Sequence, residues 1–161
     1  YFGNKEALYT AVLENAYADI RDHEKVLALD HLEPHKAIRE LIAFNFDYFV
    51  NNPAFIRLLN DENLYNAEHI RKSRRIRAMH SPLIKQISAV VGRGQEAGQF
   101  RRNVDPMQLY ISIAGLAYFY FSNVSTLGAI FGRKLMTRSA IKKRRDHVTD
   151  VILGYLALID K

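Results

Sequence analysis

Few of the 161 residues have the types and spacings that catalysis or metal binding requires. Such sites need His, Asp, Glu, Ser or Cys clustered at fixed intervals. His31 and His35 are four apart, but Pro34 stands between them at a helix start. The two rings therefore need not share a face, and they read as exposed polar residues. Asp146, His147 and Asp150 follow the run Lys142-Lys143-Arg144-Arg145 and read as part of a charged helix face. Gly-rich phosphate loops, a Gly-x-Ser-x-Gly elbow and a His-Glu-x-x-His pair are all missing from the sequence. With no cysteine, disulfides, thiolate zinc sites and Cys nucleophiles are removed together, and the composition fits a reducing cytoplasm. The expectation is a protein that is not an enzyme, with no catalytic residue, no metal and no cofactor.

The sequence is instead rich in amphipathic aromatics, nine Tyr and nine Phe without Trp, with isolated polar residues set among them. Asn45 falls in line with Ile38, Ile42 and Phe49, so an amide is aimed where its neighbours are buried. Glu62, Asn63 and Asn66 continue the face begun by Phe55, Ile56 and Leu59, while Tyr118, Phe119 and Tyr120 are consecutive and point around most of a helix. Buried polar groups must find partners, and a few convergent ones in an aromatic-lined cavity make a small-molecule pocket. The expected pocket draws Asn45, Tyr48 and Phe49 from one helix and Phe55, Leu59, Glu62 and Asn63 from the next. His80, Tyr118 and Phe119 complete it. The alternative is a structural helical protein-interaction module without a ligand, in which the amides are satisfied core groups and the aromatics plain core.

The net charge is +6, with 23 Lys and Arg against 17 Asp and Glu, which permits a nucleic-acid partner without requiring one. The run Arg71-Lys72-Ser73-Arg74-Arg75-Ile76-Arg77 lacks interleaved aromatics for stacking and reads as a solvated helix face. A sharper signal is Lys5. Asn4 is a good N-cap and Glu6 is favourable in a first turn, but a cation at the positive end of the helix dipole is disfavoured unless an external anion binds there. DNA phosphate is the obvious anion.

These residues need helices to position them. The pairs Glu33-Pro34, Asn52-Pro53, Ser81-Pro82 and Asp105-Pro106 each read as a helix start, Ser81 and Asp105 doubling as caps. Between them apolar residues recur at three and four, and no stretch alternates like a strand. The spacing predicts helices over 4–28, 34–51, 54–65, 67–78, 82–97, 106–127 and 139–158, an all-α domain of about six or seven helices. From Pro106 to Gly132 no side chain is charged over 27 residues, long enough to cross a bilayer. Polar residues within the run (Gln108, Ser112, Asn123, Ser125, Thr126), basic residues at both ends and the amphipathic pattern of the other helices argue against a membrane span. A helix apolar on all sides packs on two fronts, one along Leu109, Ile113, Leu116, Tyr120 and Val124, the other along Tyr110, Ala114, Ala117 and Phe121. The second front needs a partner. Together with Val148, Val151, Ile152 and Tyr155 of the last helix it predicts a homodimer in which two helices from each subunit form a four-helix bundle.

The sequence opens at Tyr1 without an initiator Met or a secretory leader, so it reads as a fragment preceded by further chain. Tyr1-Phe2-Gly3-Asn4-Lys5-Glu6-Ala7-Leu8 resembles the stretch that follows the recognition helix in TetR-family transcriptional regulators. Gln95-Glu96-Ala97-Gly98-Gln99-Phe100 before Asp105-Pro106 is similar to the Glu-x-Gly-x-Phe turn that precedes the family's penultimate helix. The resemblance implies residues 1–8 as the remnant of a DNA-binding head and 9–161 as an effector-binding and dimerisation domain of the TetR C-terminal fold. It further implies a repressor that small effectors release from operator DNA, bound through a head upstream of Tyr1. Of the family's DNA contacts Tyr1 and Lys5 carry over, both to the backbone. Residues 53–64 resemble a subgroup that includes repressors of aromatic and heteroaromatic acid catabolism, implying a small aromatic acid as effector.

Overall fold

The computed structural model describes residues 3–79 and 81–158. In chain order they form α1 (Lys5–Lys25), a single 3-10 turn (Leu29–His31), α2 (Pro34–Asn51), α3 (Pro53–Leu64), α4 (Glu68–Lys72), α5 (Arg74–Ala78), α6 (Leu83–Glu96), α7 (Pro106–Ser122), α8 (Val124–Phe131) and α9 (Arg138–Leu156). No strand occurs among the described residues, and the all-α architecture is the one the periodicity predicts. Two compact units result: α1 gathers with α3, α4 and α5, whereas the 3-10 turn, α2, α6, α7, α8 and α9 form the other.

Local chemistry sets the helix ends. The Asn4 side chain accepts the Ala7 N–H at 2.8 Å, and Asp105 accepts from Met107 and Gln108 with Pro106 at the first helical position. Glu33 caps α2 by accepting the N–H groups of His35 and Lys36. Ser81, expected as a cap, donates its hydroxyl to Glu24 at 2.9 Å, and α6 begins two residues on at Leu83.

Two expected helices are divided. The 67–78 segment breaks at Ser73, which adopts an extended backbone, donates its hydroxyl to Glu14 and caps α5 by accepting the Ile76 N–H. The 106–127 segment breaks at Asn123, whose side-chain NH2 donates to the Phe119 carbonyl at 2.8 Å. The chain then bends by 64° and continues as α8 until Gly132, whose φ of 60° ends the helix in the left-handed region. Among the described residues no single helix is long and apolar enough to cross a membrane. Among the described residues the bent pair α7 and α8 passes that test jointly.

In the second unit α2 is the central strut, packed against α6, α7 and α9. Its Ile38, Leu41, Ile42 and Phe46 are buried, as are Leu83, Ile87, Val90 and Val91 of α6, Leu109 and Ile113 of α7, and Val148, Ile152 and Leu156 of α9. The turn after α6 is locked by a close approach. A Cβ at Gly94 would lie 2.1 Å from the Phe100 ring, Gln99 and Phe100 both donate to the Gly94 carbonyl, and Gly98 takes φ +67°. The Gly-x-Phe pattern thus brings a fully buried ring down onto bare helix backbone.

Candidate functional site

In the first unit, one buried carboxylate joins three helices. Glu62, 1% exposed near the end of α3, accepts the Tyr9 hydroxyl of α1 at 3.2 Å and the Ile70 N–H of α4 at 3.1 Å; His69 Nδ1 stands 2.7 Å from it. The Tyr9 and His69 rings are 4.6 Å apart. Burial, then the Glu62 charge and hydrogen bond, push the Tyr9 hydroxyl up to about 12. Glu62 is therefore occupied within its own unit. Neither Tyr9 nor His69 is legible in the sequence as a partner: Tyr9 lies 53 positions before Glu62, and His69 reaches it only through a left-handed turn at Asn66 and Ala67, φ 56° and 58°. Nothing about an alanine announces such a conformation.

Other α1 carboxylates act similarly. Glu14 accepts the Ser73 hydroxyl at 2.6 Å and lies 3.5 Å from Arg75; buried Glu24 is bonded by Arg21 and Ser81. Part of the basic run is consumed here, since Lys72 pairs with Glu6 and Glu68. Phe55 is buried with its ring edge on Tyr17 at 5.7 Å, Leu59 is half-buried and Asn63 exposed.

In the second unit Asn45 is 7% exposed and donates its NH2 to the Leu41 carbonyl at 2.9 Å. Aromatic rings cluster on the same helix: Phe46 and Phe49 of α2 meet Phe121 of α7 edge-on at 5.5 and 6.1 Å, and Tyr48 meets Phe49 at 6.4 Å. The Tyr120 hydroxyl donates to the Leu135 carbonyl at 2.6 Å, under the Arg144 guanidinium. Tyr118 is half-buried, but Phe119 is 55% exposed on the opposite side of α7 from this cluster's Phe121.

Of the residues expected between subunits, Ala117, Phe121, Val148 and Ile152 are buried in the chain's own core, Tyr110 and Ala114 are half-buried, and Val151 and Tyr155 are exposed. The outer face of α7 runs instead through Gln108, Ile111, Ser112, Gly115 and Phe119, all exposed. Between this face and α9 lies an open groove of about 570 Å³, lined among others by Ile111, Ser112, Gly115, Val151 and Tyr155. A spacing of four and three marks the stripe in the sequence, but an uncharged helix offers no polar face from which to phase it.

At the start of α1 Lys5 is exposed beside the Asn4 cap. Tyr1 and His80 lie outside the described residues. No group of three His, Cys, Asp or Glu among the described residues is placed to hold a metal ion.

Comparison with known proteins places this arrangement. Residues 34–152 match the family described as tetracyclin repressor-like, C-terminal domain. The chain is also 37% identical over 153 residues to the HTH-type transcriptional repressor NicS of Pseudomonas putida, an alignment covering 95% of this chain and 72% of that protein.

Proposed function

From the premise that this chain belongs to the tetracyclin repressor-like (TetR) family of transcriptional regulators, we propose that it is the ligand-sensing and dimerisation part of a repressor. Repressors of this family are regulators and not enzymes; they are dimeric and bind DNA and small effectors. The observation that carries the reading is the match to a transcriptional repressor over 95% of this chain. Residues 9–161 sense and dimerise in the cytoplasm, while residues 1–8 lead in from the DNA-binding head, where Lys5 meets a backbone phosphate. Two chains join through α7 and α9.

The effector is a small aromatic acid that releases the repressor from operator DNA. Support comes from the Phe46, Phe49 and Phe121 cluster beside Asn45 and from the resemblance of residues 53–64. With its NH2 held by Leu41, Asn45 offers a ligand hydroxyl or ring N–H its amide oxygen.

A thermal-shift and calorimetric screen of the purified chain against small aromatic acids, fatty acyl compounds and cationic drugs tests this. A ligand at a hundred times its Kd stabilises by about 2.7 kcal/mol, several degrees for a chain of this size. An aromatic acid should raise the melting temperature, and Asn45→Ala should abolish the rise. Silence across the panel would leave the helical interaction module without a ligand, the reading that exposed Phe119 favours.

A further inference from the structure

The outer face of α7 carries a hole and a knob on one stripe. The hole is the groove of about 570 Å³ between α7 and α9, walled by Ile111, Val151 and Tyr155 and floored by Ser112 and Gly115. The knob is Phe119, a ring left 55% exposed one helical turn beyond Gly115, while Ile111 lies one turn before it. Burying such a ring is strongly favourable, so its exposure calls for an occupant. Gly115 sits between hole and knob on this stripe. A glycine inside a helix destabilises it relative to alanine, and a Cβ there would meet nothing within 4 Å in the isolated chain, so no internal contact requires it. An isologous pair uses every contact twice: if residue i of one copy meets j of the other, then j meets i. A stripe holding both hole and knob on either side of a bare backbone position satisfies that condition with a second copy of itself.

We propose that α7 crosses its partner's α7 antiparallel at Gly115, seating Phe119 of each copy in the groove of the other, against Ile111, Val151 and Tyr155. This deepens, and rests on, the dimer reading above. Glycine at the crossing point lets the two backbones approach more closely than side chains would allow. Every step of the stripe then has a counterpart: 115 meets 115, 111 meets 119 and 108 meets 122.

The chain contains no cysteine, so Gly115→Cys reports a single distance. A disulfide closes only where two Cα atoms lie about 4.4–6.8 Å apart, which holds at a glycine crossing and not at neighbouring registers. Mild oxidation of Gly115→Cys should yield a covalent dimer. Gly92→Cys, on α6 with equally open space for a Cβ, should not. In sedimentation equilibrium Gly115→Leu and Phe119→Ala should each weaken the dimer at least tenfold with helix content unchanged, while Gly92→Leu leaves it intact. A wild-type dimer in which Gly115→Cys fails to cross-link and Gly115→Leu stays dimeric overturns this register and leaves the dimer standing. A wild-type chain that is monomeric at micromolar concentration overturns both.

Discussion

Glu62 shows what one buried charge does when three helices need a common anchor. Its carboxylate takes donors from α1 and α4, and burying it without them would be prohibitive. Glu62→Ala leaves the Tyr9 hydroxyl and the Ile70 N–H without their acceptor and should cost about 3 kcal/mol, a fall in melting temperature of roughly 10 °C by calorimetry. Glu62→Gln, which keeps an acceptor in place, should cost clearly less. The same hub sets an alkaline limit. Free tyrosine ionises near pH 10 and Tyr9 in the fold near 12, so the folded state holds a proton that the unfolded chain gives up. The stability this provides is complete below pH 10 and is lost as pH rises towards 12. The melting-temperature gap between wild type and Tyr9→Phe should shift against the wild type across that window. That Glu62 would be buried was legible in its position one turn after Leu59; its partners were not, being 53 positions back and seven ahead through a left-handed turn.

At the scale of elements the sequence was most legible where chain chemistry is local. Pro34, Pro53 and the Asp105-Pro106 pair mark starts that the structure places at or beside those residues, because cap and proline act on their own turn. It was least legible where a distant group intervenes: Ser73 ends a helix because Glu14, 59 positions away, engages its hydroxyl. Asn123 breaks the penultimate helix through its own side chain, but that choice competes with continuing the helix, and periodicity cannot see the outcome. The turn after α6 has a firmer physical logic. Because a Cβ at position 94 would overlap the Phe100 ring, 2.1 Å from its nearest atom, Gly94→Ala must displace a fully buried aromatic and should cost about 2–3 kcal/mol, measurable as a lowered denaturation midpoint at unchanged m-value.

For the whole molecule, what the sequence conveyed was a class and a family, and what it left open was phase. The long uncharged helix is recognisable as one with two packing fronts, but no charged side chain marks its solvent side, and the spacing alone sets the front of Tyr110, Ala114, Ala117 and Phe121 against a partner. Ala117 and Phe121 face the chain's own core, and Ile111, Ser112, Gly115 and Phe119 face outward. The 27 residues from Pro106 to Gly132 have a further consequence. Held in α7 and α8, their backbone groups are spent within each helix; melted, they form a long apolar tract without one charged gatekeeper, rich in aromatic and β-branched residues. Such tracts are prone to pair with one another as extended strands while they are exposed. Held for long above its transition, this protein should therefore turn to insoluble aggregate, visible as rising light scattering, at a rate set by how long the bent pair stays undone.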